Sequence, residues 1–138
     1  MILRPLSLEG PCLEVPQVTN SVVSRDGRLR WEVATHVVPG LDLDGCGSPV
    51  VIVPSSLSGL CPETLEWEMY LMRGECGYFV GSIEGLQDPF VLPGWSHGLR
   101  NIGAMQPSQV PAGHRHGQVM TRYVFDGRIY RSGKREAR

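Results

Sequence analysis

The sequence predicts an all-β protein, a small antiparallel meander or sandwich of about six or seven strands with long loops. Seventeen glycines and eleven prolines in 138 residues interrupt the chain too often for long helices. Several stretches alternate apolar and polar residues with the period of two that marks a half-buried strand. Turn dipeptides such as Asp-Gly and Pro-Gly separate these stretches. The length fits one domain, residues 1–138.

The N-terminal part predicts an arm followed by a strand. Residues 1–27 contain three spaced prolines and no clear period, so we expect an extended arm tethered by Cys12. Asp26-Gly27 predicts a turn. From Leu29 to Val37, apolar and polar residues then alternate as in a strand with one buried face, and Pro39-Gly40 ends it.

The middle of the chain predicts a central strand and a hairpin. Residues 50–53 form a short β-branched run typical of a central strand. Residues 65–72 alternate again and are followed by a Gly-containing turn at 73–77 and a return strand at 78–83, which predicts a hairpin. Two helical turns over residues 63–72 are the alternative.

The last third predicts a long loop and a second hairpin. Residues 85–117 are rich in glycine and proline, and we expect a long loop region there with at most one short strand near residues 99–105. Residues 119–125 alternate as a strand. Asp126-Gly127 is the strongest hairpin turn in the chain, and residues 128–130 return from it.

Charge and hydropathy narrow the class of partner. Thirteen basic and fourteen acidic residues give a net charge of −1, so nothing steers the whole molecule to nucleic acid or to an anionic membrane. No stretch has the roughly 20 apolar residues of a membrane span. We expect the partner to be another protein.

Four cysteines indicate an oxidising compartment. Cys12, Cys46, Cys61 and Cys76 are an even number in a small, loop-rich domain, which favours two disulfides over free thiols. Without a C-x-x-C pair, the spacing is unlike a zinc site. We therefore expect an extracellular, periplasmic or cell-surface location.

The predicted hairpin suggests how the cysteines pair. It returns Met72 and Cys76 to the end of the sheet where Cys46 lies, while the eleven residues from Cys61 to Met72 span roughly 35 Å if extended, beyond disulfide reach. A regular hairpin therefore predicts Cys46–Cys76 and Cys12–Cys61. A bent or helical stretch would allow Cys61–Cys76 instead.

Residues 41–53 resemble one FG-GAP or VCBS-type repeat, in which an Asp-rich, Gly-punctuated loop runs directly into an apolar strand. Residues 123–130 are similar to the aromatic hairpin that often closes such units, and residues 73–81 resemble a segment of uncharacterised secreted bacterial proteins that carry these loops. The resemblance implies an exported protein with a calcium-stiffened interaction scaffold. Asp42 and Asp44 match its first two loop ligands.

The calcium hypothesis depends on Asp42 and Asp44. Calcium takes six to eight oxygen ligands, and these carboxylates with nearby loop carbonyls supply part of that set. The loop approaches the EF-hand pattern D-x-D-x-D-G. In that pattern, Cys46 stands at the third acidic position and Val53 at the twelfth position, where a bidentate glutamate belongs. The alternative is an Asx-type turn in which both carboxylates accept backbone N–H groups and the loop binds no cofactor.

The glycine- and proline-rich region contains the remaining candidates. Gly94 to Gly98 matches G-x-S-x-G, but the flanking prolines and glycines argue against the strand–turn–helix that a nucleophile elbow needs. His114 and His116 share a face if extended, and with His97 they suggest a zinc or copper site. Trp95 lies among turn residues, where exposed aromatics often mark recognition surfaces. The alternative is that this loop packs onto the sheet.

These observations predict a non-catalytic, exported protein–protein interaction module, of inhibitor or immunity type. The region 85–117 would be its contact surface, with Trp95, His97, His114 and His116 as binding residues. The alternative is a small metal-dependent hydrolase that uses the three histidines and a carboxylate such as Asp88.

Overall fold

A computed structural model describes residues 12–23, 30–55, 66–85, 88–107 and 118–137. It confirms the all-β class, with ten strands and no helix among the described residues, where six or seven strands were expected. The strands are β1 (Thr19–Val23), β2 (Arg30–Ala34), β3 (His36–Val37), β4 (Val50–Pro54), β5 (Glu66–Arg73), β6 (Cys76–Glu84), β7 (Phe90–Ser96), β8 (Leu99–Pro107), β9 (Gln118–Phe125) and β10 (Tyr130–Ala137).

The strands form three antiparallel sheets. One four-stranded sheet has the order β3-β4-β5-β6, a second has the order β10-β9-β8-β7, and β1 pairs with β2. Among the described strands, every pair of neighbours in a sheet is also consecutive along the chain, as in a meander. The predicted hairpins over residues 66–84 and 118–137 are both confirmed, as is the interior position of β4.

The two four-stranded sheets share one apolar core. Strands β4, β5 and β6 contribute the inward side chains of the first sheet, and β8, β9 and β10 contribute those of the second. The core members buried most completely include Leu43, Ile52, Met69, Leu71, Ile83, Leu99, Ile102 and Phe125. The period-two alternation of β5 and β9 therefore places their apolar faces in the same interior.

The N-terminal arm covers the other face of the first sheet. Leu13, Val15 and Val18 pack against a second apolar cluster that contains Val51 and Tyr70. Strand β4 is consequently buried on both faces, which explains why residues 50–53 are continuously apolar instead of alternating. Residues 1–11 and 24–27 of the predicted arm lie outside the described part of the chain.

The disulfide pairing differs from the one predicted. Cys12 bonds to Cys76, with 5.0 Å between their Cα atoms, and Cys46 is a free, exposed thiol. The predicted Cys46–Cys76 and Cys12–Cys61 pairs were wrong because the arm reaches β6: Leu13 and Gly77 exchange two backbone hydrogen bonds of 3.0 and 2.8 Å. That bridge places Cys12 beside Cys76. Cys61 lies outside the described residues.

The expectation of a loop over residues 85–117 was wrong for residues 90–96, which form β7 and pair with β8 as a hairpin, whereas the possible short strand near residues 99–105 is confirmed as β8. The misleading residues are Pro93 and Gly94. They lie in a β-bulge between Val91 and Trp95 on β7, the outermost strand of its sheet, and Gly94 has a φ of 106°. Edge strands and bulges are the positions where a sheet accepts proline. Residues 86–87 and 108–117 lie outside the described part.

Candidate functional site

Three connections meet at one end of the sandwich and form a surface that we name the turn end. It consists of the loop of residues 41–48, the β7–β8 turn at residues 96–99 and the β9–β10 turn at residues 125–130. The Arg100 amide donates to the Leu43 carbonyl at 2.8 Å, which joins the loop to the β7–β8 hairpin. The His97 ring reaches the Phe125 carbonyl, which joins the two hairpins.

Asp44 organises the loop of residues 41–48. Only 7% of this residue is exposed, and its carboxylate accepts hydrogen bonds from the Cys46 amide and the Ser48 hydroxyl. Burial alone raises the pKa of Asp44, but these hydrogen bonds and the Arg73 guanidinium, 3.7 Å away, outweigh burial and lower it. Asp42 similarly accepts from the Gly47 amide at 3.0 Å.

Both carboxylates thus accept backbone N–H groups of their own loop, Asp44 in an Asx turn from the residue two positions on and Asp42 from the residue five positions on. Among the described residues, no group of three or more His, Cys, Asp and Glu side chains is placed to hold a metal ion. A calcium site at Asp42 and Asp44 stays a prediction.

The G-x-S-x-G segment forms a β-hairpin turn. Ser96 and Leu99 pair, leaving His97 and Gly98 as a two-residue loop in which both have positive φ, 52° and 90°. Positive φ at both central residues defines a type I′ turn, the preferred connection of hairpins with two-residue loops. The Ser96 hydroxyl donates to Asn101 Oδ1 at 3.0 Å. The segment is thus strand–turn–strand and not a nucleophile elbow.

Trp95 stands beside this turn with 52% of its surface exposed. One edge of its indole rests on Gly45, where a Cβ atom would lie 3.0 Å from Trp95 Cη2. The Arg100 guanidinium lies over the ring, with Cζ 4.8 Å from the centroid. This distance is within the range of a cation–π interaction. The indole is therefore exposed on one side and supported on the other.

The support under Trp95 is tied to the core. The Tyr130 hydroxyl donates to the Arg100 carbonyl at 2.6 Å, while the Arg100 amide is bonded to the loop. Burial raises the pKa of Tyr130, so its hydroxyl stays protonated and able to donate well above neutral pH. Both backbone groups of Arg100 are thus engaged, which fixes the strand that carries its side chain.

Of the three candidate histidines, the structure describes only His97. His97 lies at the turn end next to Trp95, and its Nδ1 is 3.1 Å from the Phe125 carbonyl. A carbonyl oxygen only accepts, so Nδ1 is the donor in this contact. His114 and His116 lie outside the described residues. The metal-dependent hydrolase therefore stays a hypothesis.

Asp88, the carboxylate expected to assist these histidines, instead pairs with His36. His36 Nε2 is 2.9 Å from Asp88 Oδ1, and Nδ1 is 2.8 Å from the Ala34 carbonyl. Both partners only accept hydrogen bonds, so the ring makes both contacts as a donor when it is protonated, and the contacts favour the imidazolium. Burial alone lowers the pKa of His36, but the Ala34 hydrogen bond and the hydrogen bond and charge of Asp88 outweigh it and raise the pKa.

This pair makes stability depend on pH. Because the folded-state pKa of His36 lies above 6.5, the stabilisation is complete below pH 6.5 and is lost as pH rises through the raised value. Side-chain exposures of 39% and 46% limit its size to about 1 kcal/mol or less. We expect NMR titration to show a His36 pKa above 6.5 that falls in Asp88→Asn. An unchanged His36 pKa in that variant would contradict the pairing.

Sequence reasoning found Trp95 and His97 but missed the residues that support them. Gly45 and Tyr130 are far from Trp95 in the sequence. Arg100 is separated from Trp95 by a turn, in a region that was expected to be a loop. One local signal was present. An X-Gly dipeptide, His97-Gly98, separates residues 95–96 from 99–100, and assigning it as a two-residue turn would have placed Trp95 opposite Arg100.

Comparison of the chain with protein-family models, with curated proteins and with solved structures finds no match. The resemblance of residues 41–53 to an FG-GAP or VCBS-type repeat therefore stays a prediction. Over the described residues, no helix has the length and apolar character needed to cross a bilayer.

Proposed function

We propose that the chain is an exported, non-catalytic protein–protein interaction module that binds its partner through the turn end, with Trp95 as the central contact residue. The main observation in support is that the Trp95 side chain is half exposed although contacts with Gly45 and Arg100 hold it in place. Tryptophan and arginine are the residue types most enriched among the energetically dominant residues of interfaces.

Preorganisation supports this role. An exposed side chain that is mobile in the free protein must be ordered on binding, which costs free energy. Trp95 is already confined between Gly45 and Arg100, and Arg100 is fixed through both of its backbone groups. The type I′ turn projects the indole next to His97, so a partner's pocket meets a short, rigid hairpin. Such a hairpin suits an inhibitor or immunity-type protein.

Export is supported by the cysteines. The Cys12–Cys76 bond joins the arm to β6, and disulfides of this kind persist in oxidising compartments. We therefore place the protein outside the cytoplasm. Its partner would be secreted, periplasmic or on the cell surface.

Trp95→Ala is expected to weaken partner binding by at least about 2 kcal/mol, which is roughly a 30-fold loss of affinity. The partner would first be identified by photo-cross-linking from position 97 in the extracytoplasmic protein fraction of the source organism. Its affinity for each variant would then be measured by surface plasmon resonance.

Phe79→Ala is the matched control, since Phe79 is an aromatic residue of β6 with 38% exposure that lies outside the turn end. It is expected to leave the affinity unchanged. The proposal would be wrong if Phe79→Ala weakened binding as much as Trp95→Ala, or if Trp95→Ala had no effect.

A further inference from the structure

Two arginines beside the turn end are paired with its carboxylates, and a third is not. Arg73 lies 3.7 Å from Asp44, and Arg131 pairs with Asp126. Arg100, which lies over Trp95, is in no ion pair with any residue that the structure describes. Its positive charge is therefore not neutralised by these carboxylates.

The guanidinium of Arg100 also has an unmet hydrogen bond. Its Nε is buried and has no hydrogen-bond partner within the described part of the chain. The cation–π contact with Trp95 engages the face of a guanidinium, whereas its N–H donors point outward from the edge. Leaving a buried donor unpaired costs free energy, and native proteins rarely do so without a reason. Because Arg100 is only partly buried, an acceptor of a partner can approach it.

The side chain that carries this charge is held in place before any partner binds. The Arg100 amide donates to the Leu43 carbonyl at 2.8 Å, and its carbonyl accepts from the Tyr130 hydroxyl at 2.6 Å. Trp95, which lies under the guanidinium, rests on Gly45. An anion that binds here does not have to order the strand or the ring, which lowers the entropic cost of binding.

The charge of the site indicates which anion it takes. A guanidinium presents pairs of coplanar N–H donors that match the two oxygens of a carboxylate. A phosphorylated side chain carries about two negative charges and is recognised by clusters of arginines. Arg73 and Arg131 are already paired, so of these three cations Arg100 alone is left for an anion. One unpaired guanidinium matches the single charge of a carboxylate.

We propose that the turn end selects a partner that presents an acidic side chain, whose carboxylate binds the Arg100 guanidinium while an apolar part of the partner covers the exposed side of Trp95. This inference rests on the function proposed above, since it names the chemistry of the partner at the same site. A partner without the carboxylate would cover Arg100 and leave its donors unpaired, which disfavours that complex. Arg100 is thus a specificity-determining residue as well as a support for Trp95.

The test is an NMR titration of the intact, isotopically labelled protein with two probes, acetyl-Glu-Leu-Glu-amide and its uncharged match acetyl-Gln-Leu-Gln-amide, at equal ionic strength. The acidic probe is expected to shift the Arg100 Nε–H and Trp95 indole N–H signals and to bind about fivefold more tightly than the neutral probe. Equal affinities of the two probes would overturn the charge assignment. Tighter binding of inorganic phosphate would overturn the carboxylate assignment. The absence of shifts at these two signals with millimolar acidic probe would overturn the site.

Variants assign the preference to Arg100. Arg100→Gln is expected to weaken the acidic probe about fivefold and to leave the neutral probe unchanged. Arg100→Lys keeps the charge without the planar fork and should fall between the two. Arg128→Gln is the matched control, since it removes a charge from an exposed position of the β9–β10 turn, and it should leave both probes unchanged. An equal loss of both probes in Arg100→Gln, or a loss of the preference in Arg128→Gln, would overturn the proposal.

The failure of this inference is distinct from the failure of the proposed function. With the cross-linked partner, Arg100→Gln is expected to lower the affinity at least about fivefold and to reduce its dependence on salt. If Trp95→Ala weakens partner binding while Arg100→Gln changes neither the affinity nor its salt dependence, the acidic-side-chain inference alone is wrong. If Trp95→Ala leaves the affinity unchanged, the proposed function is wrong.

Discussion

Replacing Cys12 and Cys76 together with serine is expected to lower the free energy of unfolding by up to about 4 kcal/mol. The two residues are 64 positions apart in the sequence, so the bond closes a long loop and removes much conformational freedom from the unfolded chain. The native state also loses a restraint on the arm. Leu13 and Val15 then rely on their apolar contacts and on the Leu13–Gly77 bridge.

Urea unfolding of the wild type and the double-serine variant measures this effect. Cys46→Ser is the control, since Cys46 is a free and exposed thiol, and its unfolding midpoint should match the wild type. A reductant should lower the wild-type midpoint to that of the double variant and leave the double variant unchanged. Equal midpoints for the wild type and the double variant under oxidising conditions would show that the pairing is incorrect.

Gly81→Ala is expected to lower the free energy of unfolding by about 3 kcal/mol, the sum of a backbone-strain contribution and a steric contribution. Gly81 has a φ of 132°, where side chains are strained. A Cβ atom there would also lie 2.8 Å from the Tyr130 amide nitrogen, which is backbone and cannot rotate away. The methyl group would push β6 from β10 at the point where the two sheets touch.

Gly74→Ala separates the two terms. Gly74 also has a positive φ, 61°, but a Cβ atom there has nothing within 4 Å. It should therefore show only the backbone term, about 1 kcal/mol. Thermal or urea unfolding of both variants provides the measurement. If the two substitutions cost the same, the close approach of β6 to β10 is not what requires glycine at position 81.

Local patterns in the sequence were sufficient for much of the fold. The alternation over residues 65–72 with the turn at 73–77, and the alternation over residues 119–125 with the Asp126-Gly127 turn, predicted two hairpins that the structure contains. The Asp126 carboxylate shows why this turn is strong. It accepts from the Ile129 and Arg128 amides and pairs with Arg131, which together lower its pKa. All of these contacts lie within five residues, so the sequence alone carries the signal.

The β7–β8 hairpin shows where local patterns mislead. Pro93 and Gly94 are residues that end strands in the interior of a sheet, and they predicted a loop. They are accepted here because β7 is an edge strand with a bulge. Whether a strand lies at an edge depends on how the whole sheet is ordered. That information is not present in the seven residues of the strand.

For the candidate site, the sequence by itself determined that Trp95 lies among turn-forming residues, that Asp42 and Asp44 lie in one polar loop, and that the strands have defined apolar faces. Only the tertiary structure decided that Trp95 is exposed and supported by Gly45 and Arg100, that Cys12 pairs with Cys76, and that β6 meets β10 at Gly81 and Tyr130. The physical reason is the range of the interactions. Period and turn chemistry act over a few residues, whereas these contacts join segments whose proximity depends on the order of strands in both sheets.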